Sequence, residues 1–352
     1  AWNELIILRK NKWSKSTTSI YKTTLDHILK YCANHDKKLR WDLFDLDFDD
    51  LWNNYFLEEC ENQYGDIGLT NNTIGKYVKT LKQFLNWAVE KEYHNNLRYK
   101  SYKIYSKEGD IFPLSERHIS QLVKFCDNPE NSIRLRRCAS IFIFLAATGL
   151  RFSDGQRLLL SDFHYLGEGG VEDQVIKLTS QKTNQNITIP LNPYSIRELL
   201  RIFSDLNRVP SKFLDVLNST KVIFDNDTIR NLLSEIDDYN KPLLPQISIV
   251  KFNKYIKEVG KECGFIEPIT INIKKGNQIE KKSFRRWEKL SSHDCRRTFI
   301  TLSLQKGMRP ETLMSITGHK SYKTMLRYNK IKDSVMLKEF NEAWGNSIKV
   351  DG

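Results

Sequence analysis

Ser292-His293-Asp294-Cys295-Arg296-Arg297-Thr298-Phe299 is the stretch on which the reading of this chain turns. Ser292 is suited to cap a helix, which places His293 and Arg296 one turn apart on a single face. A histidine at a helix start is more often structural than functional, so the stretch decides nothing alone. Three other short stretches bear on it. In Ala146-Ala147-Thr148-Gly149-Leu150-Arg151-Phe152-Ser153-Asp154 an apolar helix stops at Thr-Gly and an arginine follows at once. Gly149 suits the left-handed position just past a helix end. Arg151, beside that buried end, needs a partner: Asp154 is the ordinary one, an anion the alternative.

Lys182 falls in the polar turn Gln181–Asn186, between Val175–Thr179 and Ile187–Leu191, whose alternating Ile187, Ile189 and Leu191 predict a β-hairpin. A lysine in such a turn is usually just solvated surface. Thr317-Gly318-His319-Lys320-Ser321 is followed, nine positions after the histidine, by Tyr328. A tyrosine on an apolar-rich helix is usually core.

Taken together and in order, arginine, hairpin lysine, H-x-x-R, G-H and tyrosine form a specific pattern. It resembles the tyrosine recombinase (phage-integrase) family, and the likeness runs over nearly the whole chain. A second hairpin, Ile269–Ile273 and Ser283–Trp287 around Lys274-Lys275-Gly276-Asn277, and the run His293–Phe299 look most like integrases of Bacteroides-type mobile elements. The resemblance implies an α+β protein, mainly helical with small β-hairpins. An N-terminal helical-bundle core-binding domain and a catalytic domain would form a clamp around DNA.

It also implies roles. Arg151 and Arg296 would grip a backbone phosphate, since guanidinium stays protonated and bonds phosphate oxygens in two-pronged fashion. Tyr328 would be the nucleophile, His293 its base, Lys182 the acid for the leaving 5′ oxygen, and His319 a hydrogen-bond donor to the phosphate. Asp154 would orient Arg151 from behind. Neither a metal nor another cofactor is expected, because a phosphotyrosyl bond stores the energy of the bond it replaces.

Charge agrees with a polyanionic partner. The 352 residues carry 55 Lys and Arg against 43 Asp and Glu, a net charge of +12. The surplus lies mostly beyond Glu108, whereas Asp42–Asp66 holds nine acidic residues and no Lys or Arg, a stretch that phosphates would repel. Further candidate DNA contacts are Lys76, Lys79 and Lys82 on one helix, Arg98, Lys100 and Lys103 in a basic stretch, Lys274 and Lys275 on the second hairpin, and Arg297. Six scattered cysteines, with no C-x-x-C pair, fit free thiols in a reducing compartment. No apolar run approaches the roughly 20 residues that span a bilayer. A cytoplasmic protein is the expectation.

The organisation follows from periodicity. Ser16 or Thr17 would cap a helix with Ile20, Thr24, Ile28 and Cys32 on one face. A second is expected over Phe48–Glu61, and a third from Thr70 with Ile74, Tyr77, Val78, Leu81, Phe84, Leu85 and Ala88 as its stripe. These give a domain over residues 1–94, a linker over 95–110 and a catalytic domain over 111–352. In the latter, helices are expected near 115–127, 133–148, 194–205, 247–262 and 294–306, with short ones after Pro310 and Ser321. Beyond Tyr328, the stripe Val335, Met336, Leu337, Phe340, Ala343 and Trp344 suggests a helix docking into a neighbouring protomer. The resemblance implies double-stranded DNA as partner, a homotetramer on it, and host or element-encoded DNA-bending factors. The readings it leaves open are an integrase of a mobile element, a recombinase that resolves chromosome dimers, a type IB topoisomerase, and a non-catalytic DNA-binding protein.

Overall fold

The computed structural model describes residues 1–62, 64–106, 109–168, 171–205, 241–326, 328 and 341. They divide into two units. One comprises Ala1–Asp110 with Thr270–Ser283; the other comprises the described parts of Ile111–Ile269 and Phe284–Gly352.

The first unit is built on helices α1 (Trp2–Arg9), α2 (Lys15–Asn34), α3 (Phe48–Glu58) and α4 (Asn71–Glu90). Thr70 caps α4 by accepting from Thr73 N, and the stripe Ile74, Val78, Leu81, Phe84, Leu85 and Ala88 is buried. It meets Ile28 and Cys32 of α2 and Phe48, Trp52 and Phe56 of α3 in one core. Burying each large side chain contributes about 1.5–3 kcal/mol, which holds together helices too one-sided to stand alone. The cap of α2 is Ser14, whose hydroxyl accepts from Thr17 N at 3.1 Å, so this helix starts before the expected Ser16 or Thr17. α3 stops at Glu58, three residues short of expectation. α1 carries no periodic signal and was not anticipated; Trp2 holds it, donating to Tyr21 O at 3.1 Å with its ring 3.9 Å from that of Phe84.

The stretch read as the start of a linker is packed. Tyr99 and Tyr102 are buried in the first core, and Tyr102 Oη donates to Asp45 O at 2.7 Å. Gly75 lets residues 104–105 lie directly on α4, since a Cβ there would sit 2.5 Å from Tyr105 O.

The second unit is built around α6 (Ile133–Thr148), buried without a break from Cys138 to Ala146 and hence a core helix on all sides. Around it stand α5 (Glu116–Asp127), α8 (Pro193–Asp205), α9 (Ile249–Glu262) and α10 (Ser292–Gln305); α7 (Phe152–Gly155) is a single turn after α6. An antiparallel sheet of order β1-β2-β3 joins Phe163–Glu168, Val171–Thr179 and Asn186–Pro190, with Phe163 opposite Ile176 and Ile176 opposite Ile189. Ile176, Ile187 and Ile189 point into the core. β1 was not expected: it contains a glycine, lacks alternation, and exists by pairing with β2. Helices α11 (Pro310–Thr317) and α12 (Tyr322–Leu326) follow α10.

The second hairpin, β4 (Pro268–Lys275) and β5 (Gln278–Arg285), turns on Gly276-Asn277 alone, tighter than the four-residue turn expected. Its arms pack with the first unit. Asn71 donates its side-chain amide to Gly276 O at 2.9 Å and accepts from Gly276 N at 2.7 Å, and Lys275 Nζ donates to Ile67 O at 2.9 Å. Nothing in the sequence pattern announced this membership. The C-terminal stripe from Val335 to Trp344 lies outside the described residues.

Candidate active site

The site forms where the end of α6, the β2–β3 turn, the start of α10 and the end of α11 meet. Gly149 closes α6 in the left-handed conformation (φ +70°), its N–H donating to Leu145 O at 2.9 Å. A Cβ at that position would lie 2.4 Å from the ring of Phe299, so only glycine lets α10 cross there. One turn before Phe299, Arg296 sends Nη1 to Gly149 O at 2.9 Å and Nη2 to Thr317 O.

Gly318 closes α11 in the same way (φ +65°), which turns His319 back so that its Nδ1 lies 3.2 Å from Arg296 Nη2 and 2.7 Å from Thr317 Oγ1. Nδ1 thus faces a guanidinium donor on one side and, on the other, the Thr317 hydroxyl, whose own proton goes to Leu313 O. In the tautomer whose Nδ1 accepts from Arg296, the proton sits on Nε2 and can be donated to an anion.

Arg151 follows Gly149 by two residues. Its Nη1 donates to Ser180 Oγ at 2.8 Å and lies 3.8 Å from Asp154 Oδ2. Asp154 is fully buried and accepts from Ser180 Oγ, Gln181 N and Arg157 Nη2, each at 3.1 Å. Lys182, next along the turn, is exposed, and its ammonium makes no hydrogen bond or ion pair among the described residues. His293 opens α10, whose cap is Ser291, one residue before the expected Ser292; Asp294 Oδ2 accepts from Ser291 N and Oγ, both at 2.8 Å.

Electrostatics joins these groups. Burial, then the charges of Arg297, Arg296, Lys182 and Arg151, push His293 down to about 4. Because this residue is open to solvent on one side, the four cations are the firmer of those causes. Burial and then Arg296, Arg151 and His293 push His319 down to about 4 as well. Both imidazoles are neutral at physiological pH. Burial and the like charge of Arg151 lower Arg296 to about 9, whereas an ionised Tyr328 or Asp154 favours its protonated form. Arg151 is lowered by burial and raised by Asp154 and Tyr328. The half-buried Tyr328 lies within electrostatic reach of both guanidiniums, with its ring 6.3 Å from that of His319 and its N–H donating to Met325 O at 3.0 Å.

The structure thus brings Arg151, Lys182, His293, Arg296, His319, Tyr328 and Asp154 together. Cations here outnumber the carboxylates, Asp154 and Asp294, which lie buried behind them. That is the electrostatic form of an anion site. Two contributors were given no role by the sequence: Ser180 between Arg151 and Asp154, and Thr317, which opens the quoted Thr-Gly-His stretch and receives Arg296. Only the order of neighbours in space reveals them.

The other expected DNA contacts behave differently. Lys76, Lys79, Arg98, Lys100 and Lys103 are exposed. Lys82 is engaged by the fold, donating to Lys100 O at 2.8 Å and Tyr102 O at 2.7 Å. Lys275 is engaged by Ile67 O, and Arg297 Nη1 donates to Asp294 Oδ1 at 3.1 Å. Lys274 is half-buried beside a cavity of about 300 Å³ that Asp50, Asn53 and Tyr105 also line.

Comparison with known proteins places this geometry. The model of the phage integrase family matches residues 113–334, and that of the phage integrase SAM-like domain matches residues 2–104. Among solved structures, the chain is similar to the Tn1549 transposon integrase in complex with transposon right end DNA, at 15% identity, 97% coverage of each chain and a TM-score of 0.60. It is similar to the XerH site-specific recombinase bound to palindromic difH substrate, at 16% identity over 93% of this chain and 80% of that one, with a TM-score of 0.58. It also resembles a lambda integrase dimer bound to a COC′ core site, at 14% identity, 93% coverage of each chain and a TM-score of 0.57. At such identities the likeness concerns the fold. No curated protein matches the sequence.

Proposed function

The chain belongs to the phage integrase family and is a tyrosine recombinase, and from that premise we propose that it integrates and excises a mobile element through Tyr328. One observation carries the assignment of the site: two guanidiniums, two neutral imidazoles, a lysine and a phenol from five separate segments converge where the carboxylates are all buried behind.

The chemistry follows from those groups. A scissile phosphate of double-stranded DNA is gripped by Arg151 and Arg296 and accepts from His319 Nε2. Tyr328 Oη attacks phosphorus and gives its proton to neutral His293. The bond from phosphorus to the 5′ oxygen breaks, and Lys182 protonates that oxygen. The product is a 3′-phosphotyrosyl link and a free 5′ hydroxyl. Attack by a second 5′ hydroxyl reverses the sequence and joins the strand to a new partner. Arg151 and Arg296 stabilise the charge that grows on the non-bridging oxygens, a contribution on the order of 3 kcal/mol for each well-placed donor.

Exchange of two duplexes requires four such sites, so the working form is a homotetramer on DNA, with DNA-bending factors as further partners. Support for a mobile element comes from the likeness to the Tn1549 transposon integrase over 97% of both chains.

The test is direct. The protein is incubated with nicked duplexes carrying the ends of its own element, and the products are run on a denaturing gel. A covalent protein–DNA adduct is expected from the parent and none from Tyr328→Phe. An adduct formed by Tyr328→Phe rejects Tyr328 as nucleophile, and efficient relaxation of plasmids of any sequence by monomers points to a topoisomerase instead.

A further inference from the structure

Ser180 sits where Arg151 meets the lysine turn. It is fully buried, and its hydroxyl is used in both directions, accepting from Arg151 Nη1 at 2.8 Å and donating to Asp154 Oδ2 at 3.1 Å. Its backbone closes the turn: Ser180 N donates to Gln185 O and Ser180 O accepts from Asn184 N, both at 2.8 Å. Asp154 accepts from the next residue as well, through Gln181 N at 3.1 Å. On its other side the turn rests on the bare Cα of Gly318: a Cβ there would lie 3.0 Å from Ile187 Cγ2 and 3.6 Å from Thr183 Oγ1. Lys182 stands between these two supports with its ammonium otherwise unbonded among the described residues.

We propose that Ser180 is a positioning residue that transmits the placement of Arg151 on the scissile phosphate to Lys182, so that the leaving-group acid is set in place when the clamp is filled. The physical ground is the shortness of the linkage. One hydroxyl separates the guanidinium from the turn's carboxylate anchor, and a single residue, Gln181, separates that serine from the lysine. A buried hydroxyl in this position cannot exchange its partners for water, so a shift of Arg151 towards phosphate must be followed by Ser180, Asp154 or both. A hairpin otherwise free at its tip would leave Lys182 to find the 5′ oxygen by diffusion, at a cost in the alignment that acid catalysis needs.

This inference rests on the assignment of Lys182 as the acid, and the test separates the two. Cleavage is measured in single turnovers on two nicked duplexes. One has the ordinary 5′ oxygen at the scissile phosphate; the other has a bridging 5′ sulfur, whose thiolate departs without a proton. Ser180→Ala is expected to slow cleavage of the oxygen substrate by ~10–100-fold, part of the ~10²–10⁴-fold worth of the acid itself. It should cleave the sulfur substrate within a few-fold of the parent, as should Lys182→Ala. In a Lys182→Ala background, adding Ser180→Ala should cost nothing more, and Ser180→Thr, which keeps the hydroxyl, should recover most of the rate. Equal slowing on both substrates, or losses that multiply in the double variant, overturns the proposal and confines Ser180 to supporting Arg151. Were Ser180→Ala to lose its thermal unfolding transition, Ser180→Cys, nearly isosteric but a weak donor, reads the same comparison. A parent protein that forms no adduct on either substrate instead refutes the recombinase chemistry on which the proposal stands.

Discussion

Two hairpins in this molecule carry lysine at or beside the turn, and they employ it in opposite ways. In β2–β3 the fold takes hold of everything around Lys182: Asp154 bonds Ser180 and Gln181, Gly318 supports the far side, and the ammonium is left unbonded. In β4–β5 the fold takes hold of the lysine itself. Lys275 gives its ammonium to Ile67 O, while Asn71 clasps the N–H and C=O of Gly276. A cation already bonded to the fold has less to offer a substrate than one that is surrounded but unpaired. Both sequences offer a lysine at a polar turn, and what each tip packs against decides how that lysine is used.

The comparison breaks first at its largest expected effect. Lys182→Ala should lower single-turnover cleavage by ~10²–10⁴-fold, the usual worth of a positioned acid. Lys275→Ala should leave the chemical step within a few-fold of the parent. If both variants lose comparable chemistry on a saturating nicked duplex, the division of labour drawn here is wrong.

Stability should separate the hairpins the other way. Asn71→Ala leaves the N–H and C=O of Gly276 without their partner and should cost about 1–3 kcal/mol, because unmatched buried groups carry their full desolvation penalty. Lys275→Ala removes a single bond at an exposed site and should cost about 1 kcal/mol or less. Denaturant unfolding followed by tryptophan fluorescence is the suitable readout, since Trp2, Trp13, Trp41, Trp52 and Trp87 all belong to the first unit. Asn71→Ala with an unchanged midpoint would mean that the clasp contributes nothing.

How much of this was legible beforehand differs between the same two places. The candidate site was legible only as an ordered pattern of separated residues, two of which follow chain punctuation. Gly149 and Gly318 end helices in the left-handed conformation, and Arg151 and His319 follow at fixed offsets. Helix periods were legible too, because a buried stripe such as Ile74 to Ala88 has to repeat. Strand β1, helix α1 and the attachment of the second hairpin were not, for one physical reason. Each is made by contacts between residues distant in the chain, Phe163 with Ile176, Trp2 with Phe84, and Gly276 with Asn71. Ser180 was invisible for a related reason: a lone serine at a strand end carries no pattern until its neighbours in space are known. Lys82 was misleading, since a lysine on a helix face reads as solvated until two carbonyls are found at its end.

The smallest expected effect is the finest probe of the comparison. Lys182 is one of the cations that hold the imidazole of His293 down to about 4. Removing a positive neighbour favours the imidazolium, so Lys182→Ala should move the His293 titration upward, towards its ordinary 6.5. Lys275→Ala should leave it unmoved. The sign extends to stability. His293 and His319 both titrate lower folded than unfolded, so the unfolded chain binds protons first as pH falls from about 6.5 towards 4. Stability present above that window is lost through it, and the loss should be slightly smaller in Lys182→Ala, where the gap between the two states is narrower. Proton NMR of the imidazole Cε1–H signals, with His293→Gln to assign the resonance, measures the shift, and thermal unfolding at pH 7 and pH 5 measures its consequence. A His293 titration equally displaced by both lysine variants would show that the field at the site is diffuse, and that the β2–β3 turn holds no privileged position within it.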